Sequence, residues 1–288
     1  MYVERYFAIK IYRNRRCSMR IREFRITLPL TIEEYHIGQL WCVAEFSKDN
    51  TGGGEGVEVL NNEHFDDKND LLDGFSSGQY TKKIYHLASK VPWWVRKLAP
   101  TGSLEMLEEA WNAFPYCRTV ITNPNFMQDK FFLKVETLHV ADNGQSENVH
   151  HLTRDQLKKR EVVYIDISHD KISLSDYKES EDPRKYKCSI TGRGPLTDLK
   201  WRNNVQPVMT CYKLVTTEFH WFPFQTKIED FIIMTQQRLY TIFNRQVFCT
   251  LHKWHGLTIQ DIREIEEETK RELDRQRRQS QVKGIDGS

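Results

Sequence analysis

The strongest limit on the fold is the stretch GQYTKKIYHLASKVPWWVRKLAPTGSLEMLEEAWNAFPYCRTVITNP, running from Gly78 to Pro124. Residues 79–86 and 116–122 read as strands that a globular chain would bury. Yet Thr81, Lys83, Asn112 and Thr119 sit inside this stretch. A buried polar group left unpaired costs roughly 1–3 kcal/mol. A fold that encloses these segments must therefore offer the polar groups something to hold. Thr81 and Lys83 share one strand face because side chains alternate. From the residues alone a second reading stays open, with the Lys83 ammonium simply in water and its stem against Ile84 and Tyr85.

Lys and Arg total 42 against 40 Asp and Glu, a net charge of +2, too balanced for a nucleic-acid-binding surface. Seven Trp, twelve Tyr and fifteen Phe suffice for a large core or a lined cavity. The six cysteines are widely spaced, without a C-x-x-C pair, and read as reduced thiols in a cytoplasmic protein. No apolar run approaches the ~18 residues of a membrane span, so any membrane contact is expected to be peripheral and transient. The first eighteen residues, MYVERYFAIKIYRNRRCS, are Arg-rich and read as an irregular extension, a presequence or a membrane-contacting arm. The domain is expected over residues 19–288.

Along the chain, strands are expected near 21–28, 57–60, 79–86, 116–122, 131–139, 161–168 and 209–219. Thr31 with Glu34 forms a capping box for a helix reaching about Phe46. Residues 61–77 read as an acidic loop and 104–111 as a short helix. Two helices close the chain, one over 225–251 and one capped by Thr258 and Asp261. The last has a thin apolar stripe (Ile262, Ile265, Thr269, Leu273) and i,i+4 pairs Glu266–Lys270, Glu267–Arg271 and Asp274–Arg278. It reads as a weakly held lid. The pattern is α+β, without βαβ alternation.

Several tempting motifs carry little. Gly74-Phe-Ser-Ser-Gly78 matches G-x-S-x-G, but a nucleophile elbow needs a strand before and a helix after, and here a strand follows. The Gly52–Gly56 run lacks the Gly-Lys-Ser/Thr of a P-loop. The His150-His151 and His252/His255 pairs have no Cys or carboxylate at ligand spacing, so no metal site or cofactor is expected. Trp93-Trp94 and Trp221-Phe222 each flank Pro and charged residues, and suit either a core or a membrane–water interface.

The segments REFRITLPL, TGGGEGVEVL, GQYTKKIYHLASKVP, AWNAFPYCRTVIT, YKESEDPRKY, TGRGPL, CYKLVTTEF and EEETKRELD, in this order, resemble the phosphatidylinositol transfer proteins over about residues 19–288. The stop shortly after VKG looks like the stand-alone members. The resemblance implies a START-like fold: a curved, mostly antiparallel sheet wrapped around a long helix, enclosing a cavity for one lipid, with a C-terminal lid helix. It implies a non-enzymatic, monomeric carrier of phosphatidylinositol or phosphatidylcholine between membranes. The inositol ring would meet Thr81, Lys83, Asn112 and Glu266, and the phosphate Gln39, Thr119, Thr137 and Lys213. Cys117 would lie against the lipid, and Trp221-Phe222 would dock on the membrane, with Trp93-Trp94 as an added contact. Departures from the family pattern include the N-terminal extension, the longer acidic loop, and Cys188 where some relatives carry a phosphorylated Ser.

The physics is coherent. A diacyl lipid has roughly thirty methylenes at about 0.8 kcal/mol each, so leaving a bilayer costs on the order of 20 kcal/mol unless another apolar space receives the chains. Two rival expectations are a regulator that presents phosphatidylinositol to a phosphoinositide kinase, and an enzyme acting in the same cavity. The second lacks a credible nucleophile, metal site or carboxylate pair.

Overall fold

The computed structural model describes residues 20–66, 74–75, 77–87, 91, 93–98, 100, 104–220 and 224–279. The extension at 1–18, Ser76, Trp221, Phe222 and the side chain of Trp94 lie outside the described residues.

Among the described residues, eight strands form one sheet in the order β2-β3-β4-β5-β6-β8-β1-β7. They are β1 (Arg20–Leu28), β2 (Gly56–Asp66), β3 (Ser77–His86), β4 (Glu105–Ala113), β5 (Tyr116–Thr122), β6 (Phe131–Val140), β7 (Arg160–Ile165) and β8 (Met209–Phe219). Neighbours are antiparallel except β1 and β7, which run parallel. The helices are α1 (Ile32–Asp49), α2 (Trp93–Leu98), α3 (Arg154–Lys159), α4 (Trp201–Asn204), α5 (Gln225–Cys249), α6 (Leu251–Trp254) and α7 (Ile259–Gln279). This is the mixed α/β, mostly antiparallel architecture expected from the sequence.

The inner face of the sheet divides in two. On its β1, β6 and β8 side, Phe24, Ile26, Leu133, Val135 and Val215 are buried in one core with residues of α1 and α5. Period-two alternation produces this directly, since β6 reads buried and half-buried in strict turn. On the β3, β4 and β5 side nearly every inward side chain is only half-buried, although each of these strands has a neighbour on both edges. The helices fill one half of the concave face and leave the other half hollow.

Two expectations are corrected. Residues 104–111 are not a helix: from Glu105 on they belong to β4, hydrogen-bonded to β3 and β5 on both sides. The Leu, Met, Glu and Ala of this run favour helix, and tertiary pairing overrides that weak preference. The acidic loop does not begin at residue 61: β2 continues to Asp66 through a register shift between Val59 and Asn61. β2 is an edge strand, where charged and polar residues block edge-to-edge pairing.

Both capping boxes are present. The Thr31 hydroxyl accepts from the Glu34 backbone N–H, and the Thr31 N–H donates to the Glu34 carboxylate. Thr258 and Asp261 repeat the arrangement at α7. The α7 stripe is thin but anchored: Ile262, Thr269 and Leu273 are buried, and the helix contacts α1 and β2. Glu266 pairs with Arg263 rather than Lys270, and Asp274 with Arg277 rather than Arg278. Near the helix end, Arg277 also pairs with Glu58 at 2.6 Å, and Glu58 in turn lies 2.9 Å from His86 Nε2.

Helix α1 passes close to α6 at Gly38. A Cβ built there lies 2.7–2.9 Å from the indole of Trp254, a buried ring whose N–H donates to the Val247 carbonyl. Gly38→Ala gains up to about 1 kcal/mol of helix propensity, but overpacking costs about 1–3 kcal/mol. The expected outcome is a net loss, read in a thermal melt as a fall of a few degrees in midpoint.

Candidate functional site: the hollow half of the inner face

The register lays the predicted residues out in rungs. Asn112 of β4 stands opposite Cys117 of β5, Cys117 opposite Thr137 of β6, and Thr137 opposite Lys213 of β8. One rung along, Thr81 of β3 faces Ala110, which faces Thr119. One further, Lys83 faces Glu108. Residues directly opposite in a sheet point to the same face, and so do residues two apart on one strand. Seven predicted site residues (Thr81, Lys83, Asn112, Cys117, Thr119, Thr137 and Lys213) therefore share the concave face.

Their contacts agree. Cys117 Sγ donates to Asn112 Oδ1 at 2.9 Å, and Lys213 Nζ donates to the Thr137 hydroxyl at 3.3 Å. Lys213 Nζ also stands 5.3 Å from the ring centre of Tyr240 on α5. Lys83 Nζ lies 3.7 Å from Glu108, which accepts a hydrogen bond from Tyr85 at 3.0 Å.

The two remaining predicted residues come from helices. Glu266 on α7 accepts from Asn62 at 3.1 Å and from Arg263 at 2.6 Å, and Asn62 Oδ1 accepts from Gln79 at 2.7 Å. Gln79 is paired with Asn112. A hydrogen-bonded relay thus runs from α7 through β2 to the head of the Asn112 rung. Gln39 is half-buried on α1, one turn beyond Tyr35 and His36, and no hydrogen bond among the described residues ties it to the strand residues. The sequence reading missed Asn62, Gln79, Tyr85 and Glu108. Of these, Gln79, Tyr85 and Glu108 follow from alternation once β3 and β4 are both recognised as strands.

Depth and accessibility together describe a lined interior. Cys117 is only half-buried by surface, yet burial pushes its thiol up to about 12. Tyr85 and Tyr240 are likewise half-buried, with phenols pushed well up by burial and then by the charge of Glu108. A group surrounded by protein but still touching open space borders a cavity.

Charge is sparse there. Lys83 pairs with Glu108, Arg263 with Glu266, Arg22 with Glu161, and Arg20 with Glu229 and Asp230. Among the described residues no carboxylate lies within ion-pair distance of Lys213. His139 stacks on Phe114, which stacks on His36. Burial, and next the nearby Lys213 charge, lower His139 to about 3, and its Nδ1 lies 2.7 Å from the Pro115 carbonyl. His36 is lowered as well, first by burial and then by Arg263. Among the described residues, the interior thus carries two imidazoles biased toward the neutral form and Lys213 without a carboxylate partner.

An unfolded histidine titrates near pH 6.5, whereas folded His139 titrates only near pH 3. Between those values the unfolded chain binds one more proton. Stability is therefore present above about pH 6.5 and falls as pH drops, by up to about 1.4 kcal/mol per pH unit. His139→Phe is expected to shrink the loss between pH 7 and pH 5 by about 2 kcal/mol, measured by urea unfolding at the two pH values.

A family model described as "Phosphatidylinositol transfer protein" matches residues 19–271. The phosphatidylinositol transfer protein beta isoform of Homo sapiens is 48% identical over 270 residues, which cover 92% of this chain and 97% of that protein. Phosphatidylinositol transfer protein 1 of Dictyostelium discoideum is 48% identical over 256 residues, 88% of this chain and 94% of its own. Phosphatidylinositol transfer protein 5 of the same organism is 41% identical over 254 residues, 88% and 85% of the two chains. With identity this high over nearly the whole length, the chain belongs to the phosphatidylinositol transfer protein family, non-catalytic carriers of phospholipid between membranes.

Proposed function

We propose that the hollow half of the inner face holds one phosphatidylinositol or phosphatidylcholine molecule, and that the chain carries it between membranes. The observation that carries this reading is the convergence of seven polar or thiol side chains from five strands onto the one part of the concave face that the helices leave unfilled. A phosphodiester carries one negative charge, which suits a wall with one uncompensated cation, Lys213. Thr137, already hydrogen-bonded to Lys213, joins it at the phosphate with Thr119 and Gln39. Thr81, Lys83, Asn112 and Glu266 serve the inositol hydroxyls, which offer both donors and acceptors. Cys117, between Asn112 and Thr137, lies against the lipid.

Release requires α7 to leave, and membrane docking supplies the occasion. The strand ends His86, Glu105, Thr122, Phe131 and Phe219 lie at one rim of the sheet, because His86 pairs with Glu105 and Phe131 with Phe219. Trp93 on α2 stands at this rim, 68% exposed, with Arg96 and Lys97 also exposed. An exposed indole beside cations suits an anionic membrane–water interface. Trp94, Trp221 and Phe222 complete the docking edge in this reading.

Native mass spectrometry with lipid extraction tests the pocket. Wild-type protein is expected to hold one phospholipid per chain. Thr81→Glu, which puts a carboxylate among the ring-binding groups, is expected to lose inositol lipid selectively and keep choline lipid. Unchanged lipid content in the variant overturns the assignment. Trp93→Ala is expected to weaken binding to anionic vesicles several-fold with bound lipid unchanged, measured by vesicle sedimentation; equal binding removes Trp93 from the docking edge.

A further inference from the structure

Glu108 has no place in the head-group set just described, yet it stands within that set. It is on the concave face, opposite Lys83, with its side chain 12% exposed. Its carboxylate lies 3.7 Å from Lys83 Nζ and accepts the Tyr85 hydroxyl at 3.0 Å. After burial, its charge is the next cause that raises the Tyr240 phenol on α5. Tyr240 is also the ring over which Lys213 stands. Glu108 and Lys213 thus share one face of the sheet, the carboxylate paired with Lys83 and the cation without a carboxylate partner among the described residues.

A carboxylate beside Lys83 alters what that lysine can bind. Alone, Lys83 would be a receptor for a phosphate. Held by Glu108, it presents N–H donors with its charge already cancelled, which suits a neutral hydroxyl. Glu266, paired with Arg263, is the second carboxylate of the ring-binding set. A phosphorylated ring would bring roughly −1.5 to −2 further charge into this region, where the two nearby cations, Lys83 and Arg263, are already held by carboxylates.

We infer that Glu108 is a specificity-determining residue, which cancels the charge of Lys83 and so restricts the cargo to lipids with one phosphate, shutting out inositol lipids phosphorylated on the ring. This rests on the carrier reading above and goes beyond it by naming what the site rejects and the residue that rejects it. Discrimination of this kind works by repulsion, through an unfavourable charge placed against the wrong ligand.

The test uses the full chain incubated with vesicles of phosphatidylcholine, phosphatidylinositol and phosphatidylinositol 4-phosphate, re-isolated, and analysed for bound lipid by extraction and mass spectrometry. Wild type is expected to take up phosphatidylinositol and to leave the monophosphate. Glu108→Gln keeps the shape and removes the charge. It is expected to raise the ratio of monophosphate to phosphatidylinositol by roughly tenfold. Glu108→Thr, suited to a strand, is the second variant should the first fold poorly, with the same expectation. Glu108→Asp keeps the charge and is expected to keep the exclusion. A wild type that loads the monophosphate as readily as phosphatidylinositol, or neutral variants that fold and still exclude it, overturns the inference while leaving the carrier reading intact. A wild type that loads no inositol lipid at all overturns both.

Discussion

The site depends on strand register more than on any single contact. Side chains alternate with a period of two, so a one-residue slip of β4 against β5 would turn Asn112 and Glu108 outward and bring Leu107 and Trp111 in. Register is enforced on the filled side of the face, where Phe24, Ile26, Val135 and Val215 have no tolerable outward position. It is enforced again at the edge of the hollow. A Cβ built at Gly78 would lie 2.2 Å from the Asn112 carbonyl, so only glycine lets β3 and β4 close at the head of the Asn112 rung. A well-packed half of the sheet thus holds in place a half that has little packing of its own.

What could be read in the sequence follows from the range of the signal. Residues 116–122 and 209–219 were legible as strands to the residue, because apolar alternation is a local pattern. The capping boxes of α1 and α7 are likewise local, joining residues three apart in sequence. β4 was illegible for the opposite reason. Leu104, Leu107 and Trp111 recur at three- and four-residue steps among helix formers, and only the pairing of β4 with β3 and β5 reveals a strand. Asn62 had no local signal at all, because its meaning comes from Glu266, 204 residues away. The family resemblance supplied the head-group set, but not the carboxylate that faces Lys83.

Helix α7 is held by unlike attachments. Its middle is tied through Glu266 and Asn62 to the rungs that face the cavity. Its end is tied through Arg277 and Glu58 to His86, at the rim that carries α2. The first attachment shares atoms with the head-group set, and the second does not. The helix is therefore attached at two separate places, with only a thin apolar stripe between them.

The aromatic stack of His36, Phe114 and His139 has one more consequence. Burial lowers both imidazoles from ordinary histidine behaviour, and the nearby Lys213 charge lowers His139 further. His139, lowered to about 3, therefore adds no second positive charge beside Lys213 at mildly acidic pH.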